Sequence, residues 1–205
     1  MTLPDNKMIN KPRILLHCCC APCASYVLEC LIPDYSVTLL FYNPNIEPQE
    51  EYIKRQNEAK KLLKKMSLES VVEQLECGYG NAAFADAVLS LRDEPEGGKR
   101  CRICFKLRLE ETARRAAAGE YDIFATTLSV SPHKNAKQLN EIGSEASGKY
   151  NIKYLSSDFK KNNGYLRSVE LSKAFGLYRQ EYCGCNRSGG YNRSGGCIQE
   201  DPVFG

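Results

Sequence analysis

Short apolar segments alternate with longer segments of helical period along most of this chain, and this alternation constrains the fold more than any other feature. Strands are predicted at 13–19, 36–44, 68–75, 121–128 and 152–158, of which the first is a short apolar run and the second is rich in β-branched and aromatic residues. Helices are predicted between them, at 23–31, 48–66, 82–90, 101–118, 135–146 and 165–175. This order is typical of the α/β class, with a parallel sheet that carries helices on both faces. Such sheets bind ligands beyond the carboxyl ends of their strands.

Composition suggests how the chain is divided. Residues 13–185 are expected to form a single α/β domain, which 205 residues suffice to build around one core. Residues 1–12 are polar and are expected to be a flexible segment. They lack the apolar region of a signal peptide. Residues 186–205 are rich in glycine and serine and are expected to be a flexible tail. No apolar run reaches the roughly 20 residues of a membrane span, so a cytoplasmic protein without membrane contact is expected.

The eleven cysteines are many for such a protein, and they fall mainly into three clusters. The clusters are "CCCAPC" after the first strand, "CRIC" at the start of a helix and "CGC" beyond the last helix, which contain Cys18, Cys19, Cys20, Cys23, Cys101, Cys104, Cys183 and Cys185. In a reducing compartment, such clusters indicate metal or redox chemistry rather than disulfides. Cys18 alternates with Cys19 along the strand, so its side chain is predicted to point away from the others.

Convergence of these clusters beyond the sheet would bring six or seven thiolates together. A structural zinc site needs four ligands, and so does one iron–sulfur cluster. The surplus predicts a cluster with a second metal, or a cluster beside free redox thiols. A zinc site that only joins loops remains an alternative, because CxxC pairs are common in such sites.

Several long stretches together resemble the epoxyqueuosine reductase QueH family. They are "LLHCCCAPC", "FYNPNIEPQEEY", "DEPEGGKRCRICFKLRLEETA", "TTLSVSPHKNAKQLNEIG" and "SDFKKNNGYLRSVELSKAFGLYRQEYCGC", within residues 13–185. The resemblance implies an oxidoreductase of tRNA queuosine biosynthesis. Its substrate would be tRNA with a GUN anticodon that carries epoxyqueuosine at wobble position 34, and removal of the epoxide oxygen would give queuosine.

The resemblance also implies a fold related to the adenine-nucleotide α-hydrolases, a [4Fe–4S] cluster, a second iron ion and an electron donor that the sequence does not identify. Carried over position by position, the ligands are Cys19, Cys20, Cys101, Cys104, Cys183 and Cys185. Cys23 stands where relatives have aspartate or cysteine, and it is included as a seventh ligand. After "CGC" this chain departs from the apolar continuation of its relatives.

Deoxygenation of an epoxide to an alkene consumes two electrons and two protons and releases water. One hypothesis is that the cluster relays electrons while the second iron, near Cys23 and Cys185, acts as a Lewis acid on the epoxide oxygen. His133, on a loop, and Asp158, at a strand end, are predicted to be catalytic residues. His17, inside a buried strand, is expected to be a hydrogen-bonded core residue.

Anticodon loops are bound by stacking on aromatic rings, by hydrogen bonds to bases and by contacts to phosphates. The candidate residues for this role lie mostly in strand-end loops and are Tyr42, Asn43, Asn45, Ser131, Lys134, Asn135, Lys161, Tyr165, Arg179 and Tyr182. Each also has a structural alternative: a turn for the asparagines, a solvated surface for the basic residues, and the core for the tyrosines.

Two other functions compete with the reductase. The first is an RNA-binding module with structural zinc and no redox activity. The second is a thiol–disulfide redox protein that uses "CRIC", although no thioredoxin-like arrangement surrounds that motif. Colour would separate them, because an iron–sulfur protein purified without oxygen is brown.

Overall fold

A computed structural model of the chain describes residues 11–91, 93–180 and 182–185. The strands are β1 (Arg13–His17), β2 (Ser36–Phe41), β3 (Glu73–Glu76), β4 (Ile123–Thr126) and β5 (Lys153–Tyr154). The α-helices are α1 (Ala21–Leu31), α2 (Gln49–Lys65), α3 (Ala82–Ala87), α4 (Lys99–Ala118), α5 (Ala136–Tyr150) and α6 (Gly164–Ala174). Short 3₁₀ helices cover Leu89–Leu91 and Thr127–Val130. The predicted flexible tail, and nearly all of the predicted flexible amino-terminal segment, lie outside the described residues.

The five strands form one sheet in the order β3-β2-β1-β4-β5, and every neighbouring pair is parallel. β1 is central, where Leu16 lies beside Leu39 of β2 and Ala125 of β4. The chain moves outward from β1 through β2 to β3 and then returns to the other side with β4. In such doubly wound sheets, a crevice opens at the carboxyl ends of the two strands where the direction changes, here β1 and β4.

Both faces of the sheet are buried, as the apolar strands predict. Ile14 and Leu16 face one layer, where they belong to a core with Leu28 of α1 and Leu62 of α2. Leu15 points the other way, into a core built with α4 and α5. Helix α6 packs against α1. The predicted parallel sheet with helices on both faces is therefore confirmed.

All five strands differ in their bounds from the prediction, and the third and the last differ most. The third begins at Glu73 rather than 68, because the backbone N–H of Val72 donates to Leu68 O in a turn that follows α2. The last strand contains only Lys153 and Tyr154, although 152–158 was predicted. Beyond it, the N–H of Ser157 donates to the side chain of Asn140, which draws the chain away from the sheet.

Among the described residues, no helix combines the length and the apolar character that crossing a bilayer would require.

Candidate metal centre

Three cysteines meet where the chain turns from β1 into α1. The sulfur atoms of Cys19, Cys20 and Cys23 all lie within 4.8 Å of one another. Pro22 stands in the first turn of α1, where the missing N–H of proline costs nothing. The turn therefore presents three thiols, called here the triad, at the crevice beside β4.

Hydrogen bonds and charge favour a thiolate in the triad. Hydrogen bonds from the thiols of Cys20 and Cys23 hold the pKa of Cys19 well below its usual range, and the charges of Lys134 and Arg108 act in the same direction. The Thr127 hydroxyl also donates to Cys19 Sγ at 3.2 Å. The same interactions with Cys19 raise the pKa of Cys20 to about 11 and that of Cys23 well above its usual range. A cation that binds all three sulfurs would therefore displace protons from Cys20 and Cys23.

Four other cysteines, called here the tetrad, line one pocket: Cys101, Cys104, Cys183 and Cys185. Cys104 and Cys185 are buried with Phe84 and Val88 in a small apolar cluster, against which Cys183 packs. Cys101 lies one turn before Cys104 on α4, and it accepts a hydrogen bond from the backbone N–H of Gly97 at 3.2 Å. Burial raises the pKa of Cys104 to about 12 and also raises that of Cys101. A metal cation that binds Cys101 and Cys104 would therefore displace their protons.

The triad and the tetrad adjoin one pocket. Its lining includes every predicted metal ligand except Cys20, which is buried, with 1% of its surface exposed. Its walls also carry Arg55, Arg100 and Arg108. The structure thus brings together all seven predicted metal ligands, from parts of the chain that are far apart in sequence.

The donor set fits the groups that the family resemblance implies. All ten cysteines among the described residues are free of disulfides. Clustered thiolates with hydrogen-bond donors are typical of iron–sulfur and zinc sites. Sulfurs as close as those of the triad suit a single tetrahedral ion, because a metal–sulfur bond of about 2.3 Å places ligands roughly 4 Å apart.

Below the cysteines lies a buried polar network centred on Arg108. Its Nε donates to Nε2 of His17 at 3.2 Å, and its Nη2 donates to Oδ1 of Asn43. Burial and the neighbouring Arg108 charge lower the pKa of His17 to about 3. His17 is therefore a neutral core residue, as predicted. Cys18, also as predicted, points away from the site and into the core shared with α1 and α2.

The pocket rim contains many of the residues predicted to bind substrate or act in catalysis. Those that line it are Asn45, Ser131, His133, Lys134, Asn135, Tyr165 and Arg179. Arg179 donates to the hydroxyl of Tyr165 at 3.3 Å. Asn135 caps helix α5, because its side chain accepts the N–H of Gln138. The rim is thus basic and aromatic beside the cysteines.

Asn43, Tyr42 and Tyr182 do not line this pocket. Asn43 is fully buried and donates to the carbonyl of Cys18. The backbone carbonyl of Tyr42 lies 3.1 Å from His17 Nε2. The Tyr182 hydroxyl donates to the carbonyl of Glu47 at 2.6 Å. All three residues support the walls of the site through these contacts.

Asp158 and Lys161 were predicted to act at the same site, but they lie elsewhere. Both line a separate open depression beside α5. Asp158 is paired with Lys160 at 3.0 Å. The strand end that carries Asp158 leaves the sheet early, so its carboxylate does not reach the crevice.

Several pocket residues were not predicted. Arg55, Arg100 and Arg108 are each at most 4% exposed although they lie on polar helices. The spacing of Cys104 and Arg108, four residues apart on one helix face, is the only sequence signal that points to one of them. Thr127, which donates to Cys19, lies 108 residues away in sequence and gave no signal.

Comparison with known proteins identifies the family. The family model described as epoxyqueuosine reductase QueH matches residues 14–189. This chain belongs to the QueH family. Its relatives named epoxyqueuosine reductase QueH include a protein from Streptococcus pyogenes serotype M1, 44% identical over 177 residues that cover 85% of this chain and 69% of the relative.

Another QueH relative, from Thermotoga maritima, is 37% identical and matches 84% of this chain and 88% of its own length. Relatives with this name are oxidoreductases, so the cysteine-lined pocket belongs to a member of a redox family. Among solved structures, one similar chain is described as a predicted subunit of tRNA methyltransferase from Methanocaldococcus jannaschii, with a TM-score of 0.46 and 16% identity. The match covers 78% of this chain and 73% of that one.

Proposed function

We propose that this chain is an epoxyqueuosine reductase that acts on tRNA with a GUN anticodon. The reaction removes the epoxide oxygen at wobble position 34, consumes two electrons and two protons, and yields queuosine and water. The observation that carries the proposal is the convergence of six cysteines on one pocket with a basic rim, with Cys20 beside two of them, in a member of the QueH family. A separate electron donor supplies the electrons, and the enzyme works in the cytoplasm.

The tetrad would hold a [4Fe–4S] cluster and the triad a second iron. The close spacing of the triad sulfurs supports a single ion there. The tetrad provides the four thiolates that a cluster needs. Cys23 and Cys185, near which the second iron was predicted from sequence, belong to different groups. When bound, these metals supply electron transfer and Lewis acidity.

The other pocket residues bind and orient the substrate. Lys134 and the N–H groups at the start of α5 attract phosphate, because the helix dipole is positive there. Tyr165, held by Arg179, offers a ring on which an unstacked base can lie. His133, exposed on the same rim, gives a proton to the departing oxygen. The buried cluster around Phe84 and Cys104 keeps water from the tetrad.

The competing functions explain less of the site. One structural zinc uses four thiols and leaves the triad without a role. A thiol–disulfide protein needs only the CRIC pair. Neither explains why Thr127 and Gly97 donate hydrogen bonds to sulfurs in different groups.

The test is an anaerobic assay on tRNA that carries epoxyqueuosine, with a chemical reductant and nucleoside analysis of the product. The wild-type chain is expected to form queuosine, and Cys23→Ser and Cys104→Ser to form little or none. Cys30→Ser is the matched control, because Cys30 lies on α1 outside the pocket. Absence of queuosine from iron- and sulfide-replete wild type would overturn the proposal.

The same variants test how the cysteines are divided. Cys23→Ser should lose iron while it retains acid-labile sulfide, and Cys104→Ser should lose both sulfide and most of the iron. The opposite pattern would show that the triad, not the tetrad, holds the cluster.

A further inference from the structure

The segment that carries Cys183 and Cys185 has no regular secondary structure of its own. Helix α6 ends at Ala174, and the described residues from 177 to 185 lie in no helix or strand. Two of the tetrad thiols therefore depend on tertiary contacts for their position. We call residues 182–185 the CGC arm.

Arg55 of α2 provides the charged contacts to this arm. It is 2% exposed. Its Nη2 donates to the carbonyl of Tyr182 at 3.0 Å, and its Nη1 donates to the carbonyl of Cys183 at 3.2 Å. The guanidinium also lies 5.0 Å from the centre of the Tyr182 ring. One side chain thus contacts two consecutive carbonyls and the ring of Tyr182.

The orientation of Arg55 is itself fixed. Glu51, one turn earlier on α2, accepts a hydrogen bond from Arg55 Nε at 2.7 Å. Glu51 also accepts the hydroxyl of Tyr178 at 3.1 Å, so the same carboxylate binds the chain just before the arm. The pairing neutralises the buried guanidinium and directs its two terminal nitrogens toward the arm.

Neutral hydrogen bonds complete the contact. The N–H of Glu47 donates to the carbonyl of Gly184 at 2.9 Å, and Asn45 Nδ2 approaches the carbonyl of Cys183 at 3.4 Å. These bonds come from the loop before α2, so the arm lies between that loop and Arg55. Hydrogen bonds to a charged donor are stronger than neutral ones, which makes Arg55 the main anchor.

We propose that Arg55 is a positioning residue that holds Cys183 and Cys185 in the metal centre. This role in the metal centre rests on the proposed iron–sulfur function, whereas the contacts between Arg55 and the CGC arm do not require a metal. Lysine cannot replace the arginine, because a single ammonium lacks the planar fork that spans two carbonyls.

The test compares wild type, Arg55→Gln and Arg55→Lys as reduced, metal-free chains. The rate at which each cysteine is alkylated is followed by mass spectrometry. Loss of the charged bonds should open the arm locally, so Cys183 and Cys185 should react about tenfold faster or more in Arg55→Gln. Cys19, Cys20 and Cys23 should react at wild-type rates. Arg55→Lys should lie between the two.

Arg114→Gln is the control, because Arg114 is an exposed arginine of α4 that is also paired with a glutamate. Unchanged rates at Cys183 and Cys185 in a folded Arg55→Gln would overturn the proposal. So would an equal increase at every cysteine in both Arg55 variants, since that pattern means general loss of the fold.

Anaerobic reconstitution provides the second readout. Arg55→Gln is expected to retain less acid-labile sulfide than wild type, and Arg114→Gln the same amount. Full sulfide in Arg55→Gln would contradict the positioning role. If the wild type itself binds neither iron nor sulfide, the proposed function fails, while the alkylation rates still decide whether Arg55 anchors the arm.

Discussion

Arg108 donates through Nε to Nε2 of His17 at 3.2 Å and thereby joins α4 to β1 beneath the cysteines. Nδ1 of the same ring lies 3.0 Å from the hydroxyl oxygen of Thr126. The same guanidinium lies 3.7 Å from the sulfur of Cys104. A fixed positive charge therefore lies close to the thiols of both groups, where it favours their thiolate forms.

Replacing Arg108 by leucine should destabilise the metal-free chain. The change leaves acceptors on His17 and Asn43 buried without a donor, and each such group costs about 1–3 kcal/mol. We expect the free energy of unfolding in urea to fall by about 2–4 kcal/mol. Arg114→Leu, at an exposed site, should change it by less than about 0.5 kcal/mol. Equal effects of the two substitutions would contradict the role of the network.

Thr127→Val should weaken metal binding at the triad. Valine keeps the shape but removes the hydroxyl that donates to Cys19 Sγ and accepts the N–H of Cys19. Iron is expected to be lost faster to a chelator, while sulfide is retained. Thr38→Val, on β2 and away from the pocket, is the control. Identical release rates in the two variants would show that the hydroxyl does not support the triad.

Gly184→Ala should displace the CGC arm. Gly184 has φ +107°, and an added Cβ would lie 2.9 Å from Cγ1 of Ile46. The backbone strain alone is about 1–3 kcal/mol, so the sulfide content after reconstitution should fall.

Gly148→Ala provides the contrast for this prediction. Gly148 lies within α5, and nothing is found within 4 Å of an added Cβ. Alanine there should stabilise the helix by about 0.5–1 kcal/mol and leave sulfide unchanged. A Gly184→Ala chain with full sulfide would mean that the arm tolerates the side chain.

The charges on the rim should determine how salt affects tRNA binding. Lys134→Gln and Arg179→Gln each remove a positive charge from the pocket wall. Each should weaken binding and reduce the slope of log affinity against log salt by about one. Lys65→Gln, at the far end of α2, should leave the slope unchanged. Equal slopes of log affinity against log salt in all three variants would show that the rim is not part of the tRNA-binding surface.

The fold could be predicted because its signals are local. Ile14 and Leu16 pack on one side of β1 and Leu15 on the other, so an uninterrupted apolar run was enough to indicate a strand buried on both faces. The same alternation separated Cys18 from Cys19. Convergence of the cysteines followed from the rule that ligands bind beyond the carboxyl ends of parallel strands.

The supporting residues could not be predicted, because their partners are distant in sequence. Arg55 binds carbonyls more than 120 residues further along the chain, and Arg108 binds a histidine 91 residues earlier. Their charge suggested exposed helix positions. The position of Asp158 could not be predicted for a similar reason. The side chain of Asn140, 17 residues before Ser157, accepts the N–H of Ser157, and Asp158 therefore lies away from the crevice.

The most direct test of the proposed metal content is to count iron and acid-labile sulfide per chain after anaerobic purification and reconstitution. We expect about four sulfides and about five irons, four in the cluster and one at the triad. One zinc per chain without sulfide, even after reconstitution, would contradict it and favour the zinc-containing RNA-binding module.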